Sequence, residues 1–296
     1  MFHGIYTPVM TPFTPEGSVD YDKLKFNLAK WKETELEGIV VLGSNGEFIY
    51  LTEGEKLKVV QFCLRHFSPD KKVIVGTSCE STEETIEFSR KVAGLGADAV
   101  LVLPPHYYKS NMTDRVLEQY FKDVADACPV PVMLYNMPAN TGLNLSASLV
   151  AKLSLHPNIT GIKDTAGNIV QLAEIIRDAA PDFSVFAGNA GYLLPAVVLG
   201  ARGATLALAN VLPEDCCRLF RAAREGKMEE ARELQLKMLE INHLVTRGMG
   251  VPALKAAADL LGYQGGLPKK PLLPLEKEEL NKVLKALQTY GALGQH

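Results

Sequence analysis

The chain has 296 residues, 47% hydrophobic and 22% charged, with a formal net charge of −3. That is ordinary globular composition with length for a large core, and the weak charge gives no support to nucleic acid or an anionic membrane as a bulk electrostatic partner. No run of about 18 apolar residues exists to span a bilayer.

The chain starts directly on an apolar run, with no basic n-region or long apolar h-region, so no secretory signal is expected and the reading is cytoplasmic. Apolar, β-branched runs of about five residues then recur, each followed by a helix-period segment. They are Ile5–Val9, Ile39–Leu42, Val73–Gly76, Ala99–Leu103, Val132–Tyr135, Ile159–Lys163, Phe183–Ala187 and Ala204–Ala207. Between them Leu24, Leu28 and Trp31 share a helix face, as do Val60, Cys63 and Leu64, and Ile86, Phe88 and Val92 lie in a similar stretch. Thr52 and Ser81 or Thr82 stand as N-caps ahead of acidic residues, and Gly94 and Gly200 sit where helices should stop. Fully buried parallel strands explain runs that do not alternate. Eight strand–helix repeats predict an α/β fold, a closed (β/α)8 TIM barrel, over residues 1–225. Residues 226–296 predict a C-terminal helical extension, Lys227–Val245, Pro252–Leu261 and Glu276–Leu287, packed on the barrel.

The five cysteines, Cys63, Cys79, Cys128, Cys216 and Cys217, form no CxxC pair, and the six histidines include no HExxH. Reduced packing cysteines and no metal site are expected. Neither GxGxxG nor GxxxxGK[ST] occurs, which argues against a dinucleotide or P-loop site.

Barrel active sites form at the C-terminal ends of the strands, so the residues closing each run carry most weight. The second run ends in Gly43-Ser44-Asn45-Gly46-Glu47, whose glycines allow a tight turn and whose hydroxyl, amide and backbone N–H groups could hold a carboxylate. The fourth ends in Pro104-Pro105-His106-Tyr107-Tyr108, and the fifth in Tyr135-Asn136-Met137-Pro138-Ala139-Asn140-Thr141-Gly142. The sixth ends in Lys163-Asp164-Thr165. An amine there can be stripped of water, which disfavours the ammonium and leaves a nucleophile able to form a Schiff base with a ketone. A phenol beside such a lysine could relay protons if a partner such as Ser44 or Tyr108 bonds to it. The seventh ends in Gly188-Asn189-Ala190-Gly191 and the eighth in Ala209-Asn210.

Gly43-Ser44-Asn45-Gly46-Glu47, Tyr107-Tyr108, Tyr135-Asn136-Met137-Pro138 and Gly161-Ile162-Lys163-Asp164, in this order and spacing, resemble the dihydrodipicolinate synthase / N-acetylneuraminate lyase family of class I aldolases. The resemblance covers nearly the whole chain and implies a barrel with C-terminal helices, a homotetramer built as a dimer of dimers, and no cofactor. It makes Lys163 the Schiff-base residue for pyruvate or another 2-oxo acid and Tyr135 the acid/base. Ser44 would link Tyr135 to Tyr108, which in the family reaches into a neighbouring subunit's site. Asn45, with the backbone of Ser44, would bind the 2-oxo acid carboxylate, and Thr165 and Gly188 would line the pocket.

Two departures bear on the substrate. Where the synthases carry an arginine for the aldehyde substrate's carboxylate, this chain has Asn140, and a charge-assisted bidentate pair is lost. The Ser44-Asn45 turn, Pro138-Ala139-Asn140-Thr141-Gly142, Cys79-Glu80-Ser81-Thr82, Ala209-Asn210-Val211-Leu212 and Thr246-Arg247 look instead like the 4-hydroxy-2-oxoglutarate aldolases. The expected reaction is therefore cleavage of 4-hydroxy-2-oxoglutarate to pyruvate and glyoxylate. Condensation of pyruvate with aspartate semialdehyde is the alternative. So is cleavage of a 2-keto-3-deoxy sugar acid, whose hydroxyls Asn140, Thr165 and Asn189 could bind. A non-catalytic sensor or structural subunit would lack Lys163 or Tyr135, and both are present.

Overall fold

The structure, a computed structural model, describes residues 2–293. Eight parallel strands close into a barrel in sequence order, β1 to β8, and β8 pairs back onto β1. They are β1 (Gly4–Pro8), β2 (Gly38–Val41), β3 (Lys72–Gly76), β4 (Ala99–Val102), β5 (Val132–Asn136), β6 (Ile159–Asp164), β7 (Ser184–Ala187) and β8 (Gly203–Thr205). Each predicted apolar run holds one strand, because a strand covered on both faces is apolar at nearly every position.

The connecting helices are α1 (Tyr21–Lys32), α2 (Glu53–His66), α3 (Thr82–Gly94), α4 (Asp114–Ala127), the single turn α5 (Pro138–Thr141), α6 (Ala147–Leu153), α7 (Ile169–Asp178), α8 (Leu193–Leu199) and α9 (Pro213–Arg224). Leu24, Leu28 and Trp31 are buried on one face of α1, as their spacing predicts. Thr52 caps α2 in a reciprocal capping box with Glu55, and Ser81 rather than Thr82 caps α3. Gly200 takes the left-handed conformation that ends α8; beyond α3 that role falls to Gly96, Gly94 being the last helical residue.

Side chains alternate across each strand, which divides the apolar residues into two cores. Tyr6, Val40, Ile74, Leu101, Met133, Tyr135 and Phe186 fill the barrel interior, while Ile39, Val75, Val100, Leu134 and Ile162 face the helices. Asn210, fully buried, closes the seam between β8 and β1. Its amide donates to the carbonyls of Pro8 and Ala207, its Oδ1 accepts from the Met10 N–H, and its own carbonyl accepts from the Trp31 indole.

The chain continues through α10 (Met228–His243), one turn of π-helix (Leu244–Gly248), α11 (Gly250–Leu260) and α12 (Lys277–Tyr290). Buried bonds tie these helices to the barrel. Gln235 donates to the Ala190 carbonyl at 2.8 Å, Asn242 donates to Asn189 at 2.9 Å, and Lys255 donates to the Thr11 carbonyl at 2.7 Å. No helix of the described residues is long and apolar enough to cross a membrane.

Candidate active site

A cavity of about 1020 Å³ opens at the C-terminal ends of the strands, roofed in part by the π-turn and α11. Register places its centre. Tyr135 on β5 and Lys163 on β6 are directly paired, so both point inward at the same height. Each is 3% exposed, and the Lys163 Nζ lies 4.2 Å from the centre of the Tyr135 ring. Among the described residues the Lys163 ammonium has no carboxylate partner, although Asp164 is its neighbour in sequence. Asp164 points outward and is occupied by the Asn136 amide at 2.7 Å and the Ala166 N–H at 3.0 Å. Burial raises the Asp164 carboxyl above its ordinary range, with those two donors acting against the rise.

Tyr135 Oη lies 3.3 Å from Ser44 Oγ, which joins the fifth strand's phenol to the second strand's turn. That turn is more strained than its glycines suggest. Gly43 is ordinary extended backbone, while Leu42 and Glu47, with φ of 57° and 55°, hold the left-handed conformation. Among the described residues they are the only non-glycines that do, and they bracket the Ser44-Asn45-Gly46 turn. Asn45 lines the cavity, and its side-chain amide has no partner among the described residues.

Glu47 explains how the strain is held. Its carboxylate lies 2.6 Å from the Lys255 ammonium of α11, both side chains almost fully buried. Its second oxygen accepts from the Lys269 N–H at 2.8 Å. Lys255 also donates to the carbonyls of Thr11 and Leu267. Burial pushes the Lys255 ammonium down to about 8 despite the facing carboxylate and raises the Glu47 carboxyl. Glu47 was visible only as the last letter of a motif, and nothing in the sequence near Lys255 marks it as its partner.

The remaining expected residues divide. Asn140, Thr165, Gly188 and Asn189 all line the cavity. The Thr165 hydroxyl already donates to the Asn136 carbonyl at 2.6 Å, and Asn189 Oδ1 accepts from Gly191 and Asn242. Gly188 is fixed by close approach: a Cβ there would lie 2.2 Å from Thr165 Cγ2 and 2.7 Å from the Asp164 carbonyl.

Tyr108 lies apart from the other site residues of its own chain, and the contact expected of it is one with a neighbouring subunit's site. It is 70% exposed, stacks edge-on with Tyr107, and does not reach Ser44 or Tyr135. Pro104 and Pro105 end the ladder, and Glu80 accepts the N–H groups of His106 and Tyr107, at 2.9 Å each, which carries the two tyrosines outward. His106 lines the cavity instead. Sequence reasoning assigned no role to Arg247 of the π-turn or to Thr205 of β8, both in the cavity wall. No cluster of potential metal ligands is present among the described residues.

A profile of the dihydrodipicolinate synthetase family matches residues 1–290. The chain is 36% identical over 282 residues to the probable mitochondrial 4-hydroxy-2-oxoglutarate aldolase of Emericella nidulans, covering 93% of this chain and 91% of that protein. It is 33% identical over 291 residues to the 4-hydroxy-tetrahydrodipicolinate synthase of Caldicellulosiruptor saccharolyticus, covering 98% of both. Its fold superposes with a TM-score of 0.93 on YagE, a prophage protein of the dihydrodipicolinic acid synthase family from E. coli K12, solved in complex with pyruvate. That pair shares 31% identity and covers 99% of this chain and 100% of the other.

Proposed function

The chain belongs to the dihydrodipicolinate synthetase family and is a class I aldolase of that family, and on that premise we propose that it cleaves 4-hydroxy-2-oxoglutarate to pyruvate and glyoxylate through a Schiff base on Lys163. The observation that carries the chemistry is the pairing of Lys163 with Tyr135 across adjacent strands, with Ser44 bonded to the phenol. A buried amine without a carboxylate partner beside a hydrogen-bonded phenol is the arrangement imine formation needs.

In the proposed cycle the Lys163 amine attacks C2 of the substrate. The carbinolamine loses its hydroxyl as water, with Tyr135 supplying the proton, and leaves a protonated imine. Tyr135 then takes the proton of the C4 hydroxyl as the C3–C4 bond breaks. That electron pair moves into the imine, giving glyoxylate and an enamine. Protonation at C3 and addition of water at C2 release pyruvate and restore the amine. The imine is the electron sink throughout, so these steps require no other group. Asn45 and the Ser44 backbone would hold the C1 carboxylate, with Gly188 and Thr165 shaping the wall beside C2.

Support for the substrate comes from Asn140, which stands on α5 facing the cavity where the synthases carry arginine, and from the similarity to the fungal aldolase. The second reading, condensation of pyruvate with aspartate semialdehyde, is favoured by relatives of 33–35% identity named as synthases. Parallel assays decide between them. Pyruvate release from 4-hydroxy-2-oxoglutarate, with no product from pyruvate plus aspartate semialdehyde, supports the first reading; the reverse pattern refutes it. We also place the enzyme as a homotetramer, in which the exposed Tyr107-Tyr108 pair would meet a neighbouring subunit. Sedimentation at assay concentration that gives only monomer would refute this.

A further inference from the structure

Three carbons separate the two carboxylates that any 4-hydroxy-2-oxoglutarate-like substrate must present, and the turn at Ser44-Asn45 accounts for only one of them. The second requires a cation in the same cavity, because a carboxylate leaving water is stabilised best by a charge-assisted, preferably bidentate partner. Among the described side chains lining the cavity, the positive candidates are Lys163, His106 and Arg247. Lys163 becomes the imine. His106 already has its ring 3.0 Å from the Glu80 carboxylate. Arg247 has no such partner: among the described residues it makes one long contact, 3.5 Å to the Ala166 carbonyl.

The local backbone aims it there. Arg247 rides the single π-turn, Leu244–Gly248, where Met249 donates back to Leu244 and the Thr246 hydroxyl donates to the Asn242 carbonyl. A π-turn inserts a residue into a helix and redirects its side chains, a distortion found mostly at functional sites. The guanidinium is thereby carried over the loop after β6. It reaches Ala166, three residues after Lys163, and lies 3.5 Å from where a Cβ on Gly167 would stand. Gly167 itself is in the left-handed conformation, at φ 73°, which favours a residue without a side chain beneath the guanidinium.

We propose that Arg247 binds the distal carboxylate of the substrate, taking from the C-terminal helices the task that Asn140 cannot perform on α5, and so selects dicarboxylic 2-oxo acids. The assignment rests on the Schiff-base reading of Lys163. It does not depend on which aldol is cleaved, because the site would recognise any 2-oxo acid with a second carboxylate three carbons beyond the ketone.

The test uses the full-length protein and two dead-end ligands, 2-oxoglutarate and pyruvate, each trapped on the enzyme by borohydride and quantified by intact mass. Wild type is expected to half-saturate with 2-oxoglutarate at lower concentration relative to pyruvate than Arg247→Gln does. In the variant the ratio of the two half-saturation values rises by about tenfold or more, the loss of one charged hydrogen-bonding partner. Arg247→Lys restores part of the difference, since it keeps the charge and loses the bidentate fork. A ratio unchanged by Arg247→Gln, or both ligands weakened equally, overturns the assignment. Failure of the substrate reading looks different: wild type still traps both ligands but does not release pyruvate from 4-hydroxy-2-oxoglutarate.

Discussion

Substituting Glu47→Gln should destabilise the protein far more than a surface carboxylate would, and in a pH-dependent way. The change keeps the shape and removes the charge that faces Lys255 at 2.6 Å in an almost fully buried pair. The Lys255 ammonium then loses its charged contact and keeps neutral partners, among them the carbonyls of Thr11 and Leu267 and the Phe13 ring. Breaking one side of a buried pair costs about 3–5 kcal/mol. For a chain of 296 residues the unfolding entropy is roughly 0.6 kcal/mol/K, so the melting temperature should fall by about 5–8 °C. The sign with pH follows from Lys255, whose folded value of about 8 lies below its unfolded value of about 10.5. Between those values the unfolded chain binds more protons, so this group's contribution to stability rises with pH. Without Glu47 the folded value drops further, and the rise starts at lower pH. The deficit of Glu47→Gln against wild type should therefore be larger at pH 6 than at pH 9. Adding Lys255→Met should recover much of it, since an apolar replacement of a buried pair is often neutral. Calorimetric scans of wild type, Glu47→Gln and the double variant at both pH values measure this. A drop under about 2 °C at pH 6, or a deficit that grows with pH, would refute the reasoning.

Tyr135→Phe should lower kcat by about 10²–10⁴, the usual range for a lost acid–base group, and Ser44→Ala by less, because Ser44 acts through the phenol; stopped-flow pyruvate release checks both. Gly188→Ala should cost about 1–3 kcal/mol by overpacking against Thr165 and the Asp164 carbonyl. It should also reduce turnover, since those neighbours lie one and two residues after Lys163. A variant with wild-type melting temperature and turnover would contradict that account.

The barrel was legible because its strands are covered on both faces, so burial wrote eight apolar runs into the chain. Strand ends shifted by a residue or two, as at β8, where Ala204–Ala207 is strand only to Thr205. The Lys163 and Tyr135 positions were legible because a polar residue closing an apolar run is a local signal, and register then made them neighbours. In the turn after β2 the left-handed backbone falls on Leu42 and Glu47 rather than on Gly43, which the two glycines of the motif do not signal. Glu47 and Lys255 could not be paired from sequence because they lie 208 positions apart, and a lysine within a helix ordinarily reads as solvated. Tyr108 is a separate case, because the role expected of it lies between subunits. Its motif says nothing about the direction in which two prolines and Glu80 send the loop.

The central claim is that Lys163 carries the substrate as an imine. Borohydride reduction in the presence of pyruvate, followed by peptide mapping, tests it most directly. The account predicts one reduced pyruvate adduct per chain on the peptide containing Lys163, absent in Lys163→Met. An adduct on another lysine, or full trapping in Lys163→Met, would contradict it.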